Sequence, residues 1–308
     1  MSFLPRPILQ DLPRNIKENI VSRVDFKTRI SLRNCTKQFR NIVDTFPAVY
    51  DRIAIAKVHN RIAANIVISW ELIVSTDHTR LRLKASEDQL LRVLKAIFNN
   101  PRAHSIELFI TDLDFEFQTL LTSLNQKISL VKLQIQNDLN KEKVSTLLPY
   151  LKPGVLEQLA LSFERNTVLD QVFQLEQWKQ AKSIKLFAVN MQNNIIQHVL
   201  HLQEFRLLEI THLTLEDAKK IVATALKMGK EFRSFSIRSN TSDESIQQHF
   251  GKESFFDIPE SDNELKLFCS PENFLLRKLE EDSDEEEENE EDADDEEEVE
   301  DEEDFDEE

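Results

Sequence analysis

Side chains able to do chemistry are thinly spread along this chain of 308 residues. Of its seven histidines, only His198 and His201 stand three residues apart on one face of a helical stretch, with His212 downstream. Two imidazoles make half a zinc site, and Cys35 and Cys269 lie far from them in sequence, so packing or surface histidines are expected and no metal. No Gly-x-Ser-x-Gly, His-Glu-x-x-His or Cys-His context occurs, and three glycines in the whole chain leave no Gly-rich loop to cradle a phosphate. Asp and Glu outside the C-terminal run show no pairing that points to acid–base work. The expectation is no catalytic centre, no cofactor and no enzyme.

Charge is the other chemistry on offer. The net charge of -18 hides two unlike parts, because Glu280 to Glu308 holds 24 carboxylates in 29 residues and the other 279 residues sum to +6. A run this acidic cannot bury enough surface to offset ordering entropy and is expected to be disordered. It reads either as a solubilising brush or as a lure for basic proteins that could also fold back on the basic body, weakening with salt. Ser283, followed by Asp284 to Glu288, fits an acidophilic kinase site. Arg80, Arg82 and Lys84 alternate along a strand and read as a solvated face; +6 over 279 residues is no patch, so nucleic acid is not an expected partner. No window approaches a membrane span, and MSFLPRPILQD has prolines where a secretory signal would be apolar. Two cysteines suggest no disulfide framework. A cytoplasmic or nuclear protein is expected, and Asn34-Cys35-Thr36 and Asn240-Thr241-Ser242 are read as chance sequons.

These groups must be carried by a framework of strands and helices. From Tyr50 to Lys84 the chain turns β-like, with Ile66 to Val74 and Leu81-x-Leu83 read as two strands joined by a polar turn at Thr76 to Thr79. Ser86 and Gln89 form a capping box for a helix with Leu90, Leu91, Leu94, Ile97 and Phe98 on its stripe, stopped at Asn99-Asn100-Pro101. Short alternating strands then recur, centred on Leu108, Leu133, Leu159, Leu186, Leu208 and Phe235, with a helical segment in each gap. The clearest is capped by Thr214, with Asp217 at the third position and Gly229 as its stop. Strand and helix alternating at this interval is the period of leucine-rich repeats, in which each unit buries its apolar face only against its neighbours. The repeats lack the Asn or Cys ladder of that class, so an irregular, repeat-like α/β solenoid is expected. Phe274, Leu275, Leu276 and Leu279 read as a last helix across its end.

The N-terminal stretch Leu12 to Val43 reads as three short helices. Ile16, Ile20 and Val24 make one apolar stripe with Val21 beside it; Asp25 is the N-cap of a second helix with Phe26, Ile30 and Leu32; Phe39, Ile42 and Val43 mark a third. So small a bundle is marginal alone and should lean on a partner. The run resembles an F-box, on Leu12-Pro13, Ile16/Ile20/Val24, Phe26, Arg29/Leu32/Cys35 and Lys37/Phe39/Arg40. That resemblance implies docking onto a Skp-type adaptor, and through it a cullin-RING (SCF-type) ubiquitin ligase. Leu12, Pro13, Ile16, Ile20, Val24, Phe26 and Leu32 are the residues expected at the adaptor face, some of them shared with the unit's own core. Further on, Leu151-Lys152-Pro153-Gly154-Val155-Leu156-Glu157, Leu175 to Lys182 and His249-Phe250-Gly251 resemble segments of the FTH domain, which occurs downstream of an F-box. Trp178 is expected in the core between adjacent units, with Lys179 and Lys182 at the end of its helix.

The expected organisation is an α/β protein: an F-box over residues 8–48, linking strands and helix over 49–102, an FTH or repeat-like domain over 103–255, a terminal cover over 256–279 and a disordered acidic tail over 280–308. The expected function is that of a substrate-recognition adaptor, with a protein substrate held on the strand face. The alternative is an acidic leucine-rich-repeat protein that binds histones as a chaperone, which the N-terminal unit does not fit.

Overall fold

The computed structural model describes residues 11–62, 65–76, 79–111, 115–139, 141–163, 169–187, 195–239, 244–259, 261, 263–270 and 272–279. The acidic run 280–308 lies outside the described residues. Three helices come first: α1 (Arg14–Arg23), α2 (Phe26–Cys35) and α3 (Lys37–Thr45). Their starts are written in the sequence. The Asp25 side chain accepts from the Thr28 amide at 2.7 Å, and Thr36 from the Phe39 amide at 3.1 Å, satisfying amides that a helix start leaves without partners.

Next come β1 (Ala48–Ile62), β2 (Asn65–Thr76), β3 (Thr79–Ala85), α4 (Glu87–Phe98) and β4 (Ala103–Ile110). Strand–helix alternation continues through α5 (Phe115–Thr122), β5 (Leu130–Leu139), α6 (Lys141–Leu147), β6 (Gln158–Phe163), α7 (Asp170–Phe173), α8 (Glu176–Lys179) and β7 (Ser183–Phe187). The chain closes with α9 (Ile196–Val199), β8 (Glu204–Ile210), α10 (Leu215–Met228), β9 (Ser234–Ser239), α11 (Glu244–Phe250), β10 (Glu253–Asp257), β11 (Glu264–Cys269) and β12 (Asn273–Lys278).

All twelve strands join one sheet, in the order β10-β11-β12-β9-β8-β7-β6-β5-β4-β1-β2-β3. From β4 to β9 the strands are parallel and neighbours in chain order. Residues 49–102 extend the same sheet, with β1 parallel to β4 and then an antiparallel β1-β2-β3 meander. At the other end β12, β11 and β10 add antiparallel strands to β9.

Two expectations are corrected here. Three strands, not two, precede α4: the β-like stretch from Tyr50 holds a strand of its own, β1, whose alternation Ala54, Ala56 and charged residues dilute. The expected last helix is strand β12, in which Phe274 and Leu276 point into the core and Leu275 does not.

The paired rows also differ from the expected strand centres. Leu108, Leu133, Leu159, Ile184, Phe205 and Phe235 stand side by side, and Ile110, Ile135, Leu161, Leu186, Leu207 and Ile237 form the parallel row two residues on. Both rows are buried and share one core with the helices that connect the strands. A one-residue slip would turn each strand's apolar set outward, so this burial fixes the register. Strands in chain order with helices over one face leave the other face open. Lys132, Gln134, Lys185, Arg206 and Ser236 alternate onto that open side.

The helices differ in strength. α10 carries the expected devices: Thr214 Oγ1 accepts from the Asp217 amide at 3.1 Å, and Gly229 ends the helix at φ 60°. Replacing Thr214 by Ala is expected to cost about 1 kcal/mol, read as a lowered midpoint of thermal unfolding. By contrast α7, α8 and α9 are single turns of four residues, too short to hold themselves without packing.

Trp178 supplies that packing. It is 1 % exposed, lies 5.1 Å from the Phe173 ring, and its Nε1 donates to the His198 carbonyl at 3.0 Å, joining α8 to the unit that follows. Lys179 pairs with Glu176 at 3.2 Å. Lys182 reaches across to Glu157 at 2.7 Å instead of serving a helix end, because α8 has stopped three residues before it.

Candidate functional site: an apolar ledge on the N-terminal helices

Adjacent residues on a helix are about 100° apart, so α1 presents two neighbouring stripes. Lys17 and Val21 face inward. Val21 is buried with Phe39 and Ile42 of α3 in a core of its own, with Leu32, Val43 and Phe46 packed around it. Lys17 is 4 % exposed, and its ammonium donates to the Gln38 side chain of α3. Across the unit, Arg33 of α2 makes a two-pronged pair with Asp44 of α3, at 2.6 and 3.2 Å.

The next stripe along α1 faces away from that core. Ile16 is 42 % exposed, and Ile20 one turn on is half-buried, as are Leu12 and Val24. Pro13 is exposed, one residue before the helix begins. Leu12, Arg14, Gln38, Asn41 and Thr45 line an open groove of about 720 Å³ between α1 and α3. Ile16 and Ile20 thus share one outer stripe of α1, with Pro13 exposed just before it, while Leu12 lines the groove towards α3. Leu32 is placed elsewhere, half-buried against the unit's own core. Phe26 opens α2, but its side chain lies outside the described residues.

Sequence reasoning missed how this unit is fixed to the sheet. α2 is the helix that meets β3, and its Ile30 packs on the main core. The Arg29 guanidinium lies 4.8 Å over the Phe46 ring, while Asn100, buried at the end of α4, donates through Nδ2 to the Phe46 carbonyl at 2.7 Å. Tyr50 beneath is 5 % exposed, and burial pushes its hydroxyl up to about 12 although Arg29 works the other way. The signal available was Asn99-Asn100-Pro101: an Asn that ends a helix as a buried side chain needs a backbone partner. With α2 and α3 turned to the sheet, α1 is the outer helix.

The groups considered for chemistry have structural roles. His198 stacks on Phe173 with centroids 4.3 Å apart, and His201 Nε2 donates to the Trp178 carbonyl at 3.1 Å. Among the described residues no three His, Cys, Asp or Glu side chains gather as a metal site. Cys269 is buried, which pushes its thiol up to about 11 and away from the reactive thiolate. Arg82 forks onto Glu71 and holds that carboxyl below its usual range. No helix among the described residues is long and apolar enough to cross a membrane.

His201 has a pH signature. Burial holds its imidazole below the ordinary 6.5, against the pull of the Trp178 carbonyl. The unfolded chain therefore takes up the proton first as pH falls, and stability is lost below about pH 6.5 down to the lower folded value. Thermal melts on either side of that pH should show the slope, and His201→Gln should remove this part of it.

Comparison with known families matches residues 9–48 to the F-box domain and residues 111–253 to the FTH domain. Comparison with curated proteins finds no match to the chain. The first match contains α1 to α3 with the ledge; the second runs from the end of β4 to the start of β10.

Proposed function

We propose that this chain, an F-box protein with an FTH domain downstream of the F-box, is the target-recognition adaptor of a cullin-RING ubiquitin ligase. The F-box takes a Skp-type adaptor, and Leu12, Pro13, Ile16 and Ile20, continued by Val24 and Phe26, are the surface it covers. Leu32 contributes from below by supporting α2.

The observation that carries this reading is the exposed Ile16 on a bundle whose buried apolar core, among the described residues, is Val21, Phe39 and Ile42. A bundle this small gains little stability from its own burial, and the apolar side chains left outside gain from a partner about 25 cal/mol per Å² they lose to water. No group on the chain need act on ubiquitin: a target held near a charged ubiquitin carrier reacts faster through proximity.

The open face of the sheet is the proposed target surface. Six parallel strands in chain order with helices behind them support the reading of the body as an irregular leucine-rich-repeat solenoid, an architecture that offers its strand face to partners. The test is reconstitution: purified full-length chain should co-elute with a Skp-type adaptor and bring a cullin with it. Failure to co-elute at micromolar concentrations would overturn the assignment.

A further inference from the structure

The open face of the sheet carries a group of arginines between β8 and β12. Arg206 of β8, Arg238 of β9 and Arg277 of β12 are all exposed there, and none has an ion-pair partner among the described residues. Lys185 of β7 is the register neighbour of Arg206, and Leu275 of β12 and Ser236 of β9 lie between the arginines.

The carboxylates on this stretch are already engaged. Glu204 receives Lys185 at 3.0 Å and the Ser183 hydroxyl at 2.8 Å; burial works to raise its pKa, and these bonds outweigh it. Towards β1, Glu107 takes both Lys132 at 2.9 Å and Arg52 at 3.4 Å. The acidic side chains of the far edge, Glu253, Asp257 and Glu264, sit on β10 and β11, beyond the arginines. Phe187 and Phe268, 40 % and 44 % exposed, flank the patch.

We infer that this arginine face, centred on Arg206, Arg238 and Arg277, is covered by the chain's own acidic segment, residues 280–308. Charge complementarity and chain continuity single out that occupant. β12, which carries Arg277, ends at Lys278, and the acidic run begins two residues later. The 29 residues from Glu280 span up to about 96 Å when extended. From β12 to β7 is three strand spacings, about 14 Å, and the whole way to β3 is about 43 Å. The segment therefore reaches every part of the face at an effective concentration that no separate acidic partner matches at ordinary levels.

Anything that binds the open face must then compete with a polyanion for guanidinium groups, and phosphorylation at Ser283 would add to the charge of that polyanion. The inference stands on the face and the segment alone and holds whether or not the F-box recruits a ligase.

Zero-length carbodiimide coupling on the dilute full-length chain, with links mapped by mass spectrometry, tests it. Carboxylates of 280–308 should couple to Lys132, Lys185 and Lys266 of the open face in preference to Lys95 of α4 and Lys220 and Lys227 of α10. The yield should fall by about threefold or more from 0.1 M to 1 M salt, as the screening length shrinks from about 10 Å to about 3 Å. In the full chain carrying Arg206→Glu, Arg238→Glu and Arg277→Glu the preference should vanish, with an unchanged midpoint of thermal unfolding reporting that the variant is folded. Equal coupling to helix-side lysines, a yield indifferent to salt or to the three substitutions, or links that form only between molecules would each overturn it. Should the triple variant not fold, the salt series and lysine preference on the unaltered chain decide the matter.

Discussion

Replacing Ile16 and Ile20 together by Asp is expected to weaken capture of a Skp-type adaptor by at least about 100-fold, because the central apolar anchors of an interface carry most of its energy. Two carboxylates set into a surface that must be dried on association would also be left without partners, which adds to the loss. The chain itself should not notice. Ile16 is 42 % exposed and Ile20 stands beside it, outside the Val21, Phe39 and Ile42 core, so the unfolding midpoint should stay within the range of ordinary surface changes. Val21→Asp is the contrasting variant: it is expected to unfold the unit and lose capture for that reason. Pull-down with purified adaptor alongside thermal melts separates the two. Full capture by the Ile16→Asp, Ile20→Asp chain would remove the basis for the ledge.

The largest expected effect on stability comes from Trp178. Truncation to Ala should cost about 3–5 kcal/mol, the usual range for a fully buried aromatic. The side chain is 1 % exposed, and it does more than fill volume. Its Nε1 satisfies the His198 carbonyl, its own carbonyl accepts from His201, and its ring supports Phe173, which in turn supports the His198 ring. α7, α8 and α9 are single turns that depend on such packing, helped by the buried Gln177, whose Nε2 donates to the Leu151 carbonyl at 2.8 Å. Trp178→Phe should be intermediate: it retains most of the apolar area but strands the His198 carbonyl, at about 1–3 kcal/mol. Hydrogen exchange should show β7 and β8 losing protection in Trp178→Ala before β1 or β12 do. A uniform loss across the sheet would mean instead that the array unfolds as one block.

What the sequence made legible was whatever is decided within a turn or two of chain. Asp25 and Thr214 announce helix starts through bonds to amides three residues on, and Gly229 announces a stop by a backbone angle that a Cβ would strain. The alternation of strand and helix from Leu108 to Phe235 is likewise local. The register was not, since Leu186 pairs with Leu161 while the row through Leu159 continues to Ile184, and only the shared core selects between two apolar residues two positions apart. Phe274-Leu275-Leu276 shows the limit of periodicity: three apolar residues in a row suit a helix stripe or a strand equally, and pairing with β9 and β11 settles it. At the ledge, the stripe of Ile16 and Ile20 was legible. How the unit is fixed to the sheet was not, because that depends on Asn100 holding the Phe46 carbonyl from 54 residues away.

Only Phe46 and Pro47 separate the last F-box helix from β1, so the gripping end and the sheet turn as one piece. Anything seated at β8 stands five strand spacings from β1, about 24 Å, in a direction set by the stacking of the units. Under the proposed function the molecule would act as a ruler: which lysines of a cargo came within range of ubiquitin would be a matter of which strand held it. A glycine spacer slipped in between Thr45 and Ala48 would leave both grips intact and blur the measurement.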